Sequence, residues 1–309
     1  MEFFTTMITP YKKDGSVDIE TALKYVDFYY ENGLDGIFAV CQSSEIFFLS
    51  LEERVALNKA VYTRAKELEG KGGRPFTVVS SGHVSDTIEG QIEELCAVAA
   101  SGTDALIFIT NRFDPNNEGD EVFIKNAERV ISALPKDIKL GLYECPYPYK
   151  RLVTPKILDW CISTGRFTYM KDTCCDADII KERIEQLKGS GFKLLNANCQ
   201  TLLRSMRDGG DGYCGIMCNF HPALYSWLAK NYNDERADLV QSVIGTFGFT
   251  EAGLPYPITA KYHMSLCGIP TELTARNRGG EVLSEYAKDC MRQMKTATDY
   301  FENLLGGKI

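Results

Sequence analysis

The chain has 309 residues, 44% of them apolar and 25% charged, and a formal net charge of −8 from 34 basic and 42 acidic side chains. That length and apolar content suffice for a full core in one large domain or two. The acidic balance, with no lysine-rich or arginine-rich cluster against it, argues against nucleic acid or an anionic membrane as the main partner, because either requires a basic face.

The opening segment, Met1-Glu2-Phe3-Phe4-Thr5-Thr6-Met7, lacks the basic start of a secretory leader, and no later stretch is long and apolar enough to span a bilayer, so a cytoplasmic protein is expected. From there strand-like and helix-like segments alternate. Strands are predicted over 3–9, 36–41, 76–81, 105–110, 139–143, 167–171, 193–196 and 212–217. Helices are predicted over 19–32, 51–68, 86–100, 121–134, 155–163, 177–187, 201–208 and 222–230. Ser50 followed by Glu53 reads as a capping box at the start of the second helix.

Eight β-then-α units without a cluster of antiparallel hairpins predict a parallel sheet covered by helices and closed as a (β/α)8 TIM barrel. Three further helical segments, about 234–247, 257–266 and 281–305, predict a C-terminal helical subdomain against it. The expected division is a barrel over 1–232 and a helical subdomain over 233–309.

The eleven cysteines are odd in number and several lie inside apolar runs, where a reduced thiol behaves as a small hydrophobe. Cys174-Cys175 is adjacent rather than C-x-x-C, and only three histidines exist, so no metal site is expected.

Two strand ends carry the candidate chemistry. Lys171 closes the run Phe167-Thr168-Tyr169-Met170, and Tyr143 closes Leu140-Gly141-Leu142 on the preceding strand. The C-terminal ends of barrel strands form the catalytic face. A lysine at a strand end is most often a solvated flank, and a tyrosine there is often a packed barrel aromatic or a rim residue. Together, in a partly apolar mouth, they fit imine chemistry: burial disfavours the ammonium, the neutral amine attacks a ketone, and a nearby phenol moves protons. Pro146 and Pro148 restrict the loop after Tyr143. The second strand exits through Cys41-Gln42-Ser43-Ser44-Glu45, whose hydroxyls and backbone N–H groups can hold a carboxylate, although serine-containing turns are common without a ligand.

These residues, with Thr9-Pro10, Lys13 to Asp18, Asn32 to Gly36, Leu49 to Arg54, Met170-Lys171-Asp172 and Gly209 to Gly212, stand in the order and spacing of one family. Over roughly residues 3 to 270 the chain resembles the dihydrodipicolinate synthase / N-acetylneuraminate lyase family of class I pyruvate-dependent aldolases. The resemblance implies a (β/α)8 barrel, a homotetramer or homodimer, and a Schiff base between Lys171 and a 2-keto acid such as pyruvate, with no other cofactor. It also implies proton relay by Tyr143 and carboxylate binding by Ser43 and Ser44.

The departures argue against the lysine-pathway synthase. Gln42 replaces a relay hydroxyl, Phe113 stands where a tyrosine is lent by a neighbouring subunit near a dimer interface, and Pro148 replaces an arginine that holds the aldehyde substrate's carboxylate. Gly215 resembles the lyase branch, where a glycine leaves room for a longer polyhydroxylated substrate. Glu144 replaces the usual asparagine and has three readings: a ligand for substrate hydroxyls, a modifier of Tyr143, or an exposed rim carboxylate. Asn111, Arg112 and Gln42 are further polar candidates for a sugar acid. The expected function is reversible cleavage of a 2-keto-3-deoxy sugar acid or related compound to pyruvate and an aldehyde. The alternatives are an imine-dependent dehydratase or deaminase, a dihydrodipicolinate synthase-type condensation, and a non-catalytic barrel that binds a keto acid.

Overall fold

The computed structural model describes residues 1–306. Its eight strands are β1 (Glu2–Thr6), β2 (Gly36–Phe38), β3 (Thr77–Ser80), β4 (Ala105–Ile109), β5 (Leu140–Tyr143), β6 (Phe167–Asp172), β7 (Lys193–Asn196) and β8 (Gly212–Gly215). Each pairs in parallel with the next, and β8 pairs with β1 from Glu2↔Gly212 to Thr5↔Gly215, which closes the barrel. Strands covered on both faces must be apolar along their length, and Ala105–Ile109 is buried at every position. Where β1 and β2 meet, the Phe4 ring fills the space a side chain at Gly36 would need, 2.6 Å from an ideal Cβ there.

Between the strands run α1 (Ile19–Glu31), α2 (Leu51–Gly70), α3 (Ile88–Ala100), α4 (Asp120–Ala133), α5 (Pro155–Thr164), α6 (Ala177–Leu187) and α7 (Leu202–Arg207), with α8 (Pro222–Asn231) after β8. The Ser50 and Glu53 capping box opens α2, each side chain meeting the other residue's backbone N–H. Among the described residues, no helix is long and apolar enough to cross a membrane.

β1, β2 and β8 end two or three residues sooner than their sequence suggests, β1 at Thr6 rather than at residue 9. Residues 39–41 and 216–217 are apolar and mostly buried, but beyond β2 and β8 the chain turns into 3-10 turns at Gln42–Ser44 and Ile216–Asn219. Ser44 Oγ lies 2.7 and 2.8 Å from the Met7 and Ala39 carbonyls, which satisfies backbone that the sheet no longer pairs.

After α8 come α9 (Ala237–Ala252), α10 (Ile258–Leu266) and α11 (Glu285–Leu304). Val240, Ile244, Ala260, Met264, Met291 and Met294 from these helices join the same buried cluster as the barrel residues Phe4, Phe38 and Tyr143. Helix α9 runs past its expected end at 247 to Ala252. Gln241 fixes it across the β7–α7 loop, donating to the Cys199 carbonyl at 2.7 Å and accepting from Leu203 N at 2.8 Å. Helix α10 is tied to the turn after β2 by the fully buried pair Lys261 and Glu45, 3.2 Å apart. These ties hold the last helices over the C-terminal ends of the strands.

Candidate active site

Strands β5 and β6 pair with Tyr143 opposite Lys171, so the two side chains leave the sheet on one side. Lys171 is 8% exposed and its Nζ lies 4.0 Å from the centre of the Tyr143 ring and 5.8 Å from that of Phe38. Aromatic faces attract an ammonium and so position the amine. The Tyr143 hydroxyl donates to Gln42 Oε1 at 3.1 Å, and Cys145 Sγ lies 3.6 Å from the same oxygen. Burial, then the Cys145 and Cys41 thiols, push the Tyr143 phenol well above its ordinary range.

Lys171, Tyr143 and Gln42 line a cavity of about 480 Å³ at the barrel mouth, together with Ser43 and Gly215. The Ser43 hydroxyl donates to Thr6 Oγ1 at 3.0 Å. Ser44 is turned away: it is fully buried and its hydroxyl serves the Met7 and Ala39 carbonyls, so it holds the turn and leaves Gln42 and Ser43 as the turn's residues in the cavity.

Besides Ser44, three expectations need correction. Glu144 is fully buried behind the strand, where it accepts from Val153 N at 2.7 Å, Thr173 N at 2.8 Å and Arg183 Nη2 at 2.8 Å, while Arg183 also pairs with Asp172. Burial, then the Asp172 carboxylate, raise the Glu144 pKa against the pull of Arg183. Period-two alternation puts residues 144 and 172 on the face opposite Tyr143 and Lys171, so Glu144 joins strands to helices instead of meeting substrate.

Phe113 is fully buried within its own chain among His83, Phe108 and Phe123, at centroid distances of 5.3, 5.1 and 5.5 Å, and does not line the cavity. In the same loop, Asn111 donates to the carbonyls of Cys145, Tyr147 and Tyr149, and Arg112 stacks on Phe47.

Gly215 lines the cavity but leaves no extra room. A Cβ there would fall on the Tyr213 hydroxyl and Cζ and lie 3.0 Å from the Ala197 carbonyl. The glycine accommodates the Tyr213 phenol, which itself lines the cavity and whose oxygen is fully buried.

The far wall was not visible in the strand motifs. Gly248, Glu251 and Ala252, spaced along one face of α9, line the cavity with Tyr256 and Arg278. Glu251 is 2% exposed and its Oε1 accepts from the Thr259 hydroxyl at 2.9 Å. Burial raises its carboxyl to about 7, although Thr259 and Arg278 favour the charged form. Lys150 completes the rim and donates to the Thr173 carbonyl at 2.7 Å. No local pattern marks these residues, because tertiary packing alone brings them to the strand ends.

The sequence profile of the dihydrodipicolinate synthetase family matches residues 1–297. An uncharacterised DapA-like lyase of Thermococcus kodakarensis is 27% identical over 74% of this chain and 75% of its own length. The 4-hydroxy-tetrahydrodipicolinate synthase of Saccharophagus degradans is 24% identical over 84% of this chain and 94% of its own. Among solved structures, YagE, a prophage protein of E. coli K12 crystallised with pyruvate, superposes with a TM-score of 0.81 at 21% identity over 98% of both chains.

Proposed function

The chain belongs to the dihydrodipicolinate synthetase family, and we propose that within it the protein is a Schiff-base 2-keto acid lyase. It reversibly cleaves a 2-keto-3-deoxy sugar acid or related compound to pyruvate and an aldehyde. The observation that carries this reading is Lys171 Nζ over the Tyr143 ring, in a cavity that also holds Ser43.

The Lys171 amine adds to the keto carbon and water leaves, giving an iminium that draws electrons from the adjacent bond. Tyr143, hydrogen-bonded to Gln42, handles the proton of the departing hydroxyl, and Ser43 with the turn's backbone holds the substrate carboxylate. The iminium is the electron sink, and the proposed chemistry adds no metal or organic cofactor to it.

Borohydride reduction in the presence of pyruvate, followed by peptide mass spectrometry, tests the reading. The expected adduct lies on Lys171 and is lost in Lys171→Ala. Folded wild-type protein without an adduct would favour a barrel that binds keto acids without converting them. Product analysis separates cleavage, which releases pyruvate, from elimination of water or ammonia, which keeps the carbon chain intact.

A further inference from the structure

We infer that Glu251 is the proton acceptor for the substrate hydroxyl on the carbon whose bond to C3 breaks; this rests on the lyase reading above. Glu251 is the one carboxylic acid among the described residues lining the cavity, it reaches that cavity from α9 while Lys171 reaches it from β6, and it is anchored through Oε1 on Thr259.

The step balances without a further reactant. With substrate bound to Lys171 as the iminium, the Glu251 carboxylate takes the hydroxyl proton and the C–O bond becomes the aldehyde carbonyl. The C3–C4 bond then breaks, and its electron pair neutralises the iminium as an enamine. In the addition direction the carboxylic acid returns the proton to the new alkoxide.

The other oxygen acids of the cavity are less suited to this step. The Tyr143 proton is directed at an amide oxygen, and Gln42 has no hydroxyl through which to pass it on. Ser43 is directed at Thr6. Burial is the main reason that the Tyr143, Tyr213 and Tyr256 phenols lie well above their ordinary range and Cys199 lies at about 11, so these groups stay neutral near pH 7. A general base works best when its pKa lies near the working pH, and Glu251 at about 7 meets that condition.

The groups facing Glu251 are Thr259 from α10, Tyr256 from the segment before it, and Arg278 from the 3-10 turn 276–278. Lys150, Lys171, Tyr143, Cys175 and Tyr213 also line the cavity, and Cys199 packs against α9 itself at Gly248. Arg278 and Thr259 favour the carboxylate, burial opposes it, and the balance leaves both forms populated near neutrality.

The test uses the full chain and a panel of six- and seven-carbon 2-keto-3-deoxy sugar acids, read by released pyruvate, beside borohydride trapping with pyruvate alone. Wild-type kcat should rise with pH through a midpoint near 7. Glu251→Gln should trap pyruvate on Lys171 as wild type does, lower kcat by about 100-fold or more, and abolish that rise. Glu251→Asp should recover part of the rate. Thr259→Val, which removes a hydrogen bond to the carboxylate, should move the midpoint to higher pH.

A Glu251→Gln protein that keeps kcat within about threefold and retains the same rise would overturn the inference while leaving the imine reading intact. So would a wild-type profile that is flat from about pH 5.5 to 8.5, which needs no variant to fold. Wild-type protein that traps pyruvate but cleaves no member of the panel also overturns it. Absence of the pyruvate adduct from wild-type protein overturns the lyase reading itself.

Discussion

The Tyr143 hydroxyl donates to Gln42 Oε1 at 3.1 Å, so the phenol that stacks under Lys171 is oriented by an amide rather than by another hydroxyl. An amide oxygen fixes the phenol but has no proton of its own to exchange. Tyr143 is therefore suited to hold and return one proton at the amine, separate from the proton chemistry of the far wall.

Tyr143→Phe keeps the ring beneath Lys171 and removes only the hydroxyl. Turnover should fall by about 10²- to 10⁴-fold, the usual contribution of one positioned acid–base group. Thermal unfolding should change little, because the Phe38 and Lys171 contacts of the ring remain. The slow step should be imine formation, measured as the rate of borohydride-trapped adduct. A variant that traps pyruvate at the wild-type rate would remove Tyr143 from that step.

Gly215→Ala should destabilise the barrel by about 1–3 kcal/mol, because the added methyl meets the Tyr213 ring end and the Ala197 carbonyl in a packed interior. Combining it with Tyr213→Leu should recover most of the loss in urea unfolding. Tyr213→Ala alone should extend the cavity and widen the range of substrate lengths accepted. A Gly215→Ala protein as stable as wild type would show that Tyr213 moves freely and does not define the cavity's length.

Glu144→Ala should cost about 1–3 kcal/mol for each of the Val153 and Thr173 N–H groups it leaves without an acceptor, while Arg183 keeps only Asp172 of its two carboxylate partners. Its KM, measured on the folded protein, should stay near wild type. A large KM change at unchanged stability would return Glu144 to a role at the substrate.

These cases show what the sequence carries. Strand order was legible because parallel strands covered on both faces are short apolar runs, and β5 and β6 end at Tyr143 and just past Lys171. Strand ends were not, since 39–41 and 216–217 are equally apolar yet leave the sheet for 3-10 turns. The last turn of α9, residues 248–252, was missed because Gly248 and Thr250 are weak helix formers, although the helix continues through them. The direction of Glu144 follows from alternation once Tyr143 faces the cavity; adjacency along the chain was the wrong guide. Gly215 and Tyr213 are two apart on one strand and so share a face, which makes the glycine a partner of the tyrosine. Glu251 required the packing of α9 on the barrel, which no local spacing encodes.

Glu251→Gln also makes a prediction about stability that does not depend on turnover. The carboxyl titrates at about 7 in the folded protein against 4.5 for its ordinary value, so between those pH values the folded state holds a proton the unfolded chain releases. Its contribution is fully present below about pH 4.5 and is lost as pH rises through 7, because ionisation then occurs in a buried site. Glutamine keeps an oxygen for the Thr259 hydroxyl and never ionises. The variant should match wild type near pH 4.5 and exceed it above pH 8 by an amount on the order of 3 kcal/mol. Urea unfolding of both proteins across that range measures the difference. If the stability gap stays constant with pH, Glu251 ionises as easily folded as unfolded, and burial is not what sets its proton affinity.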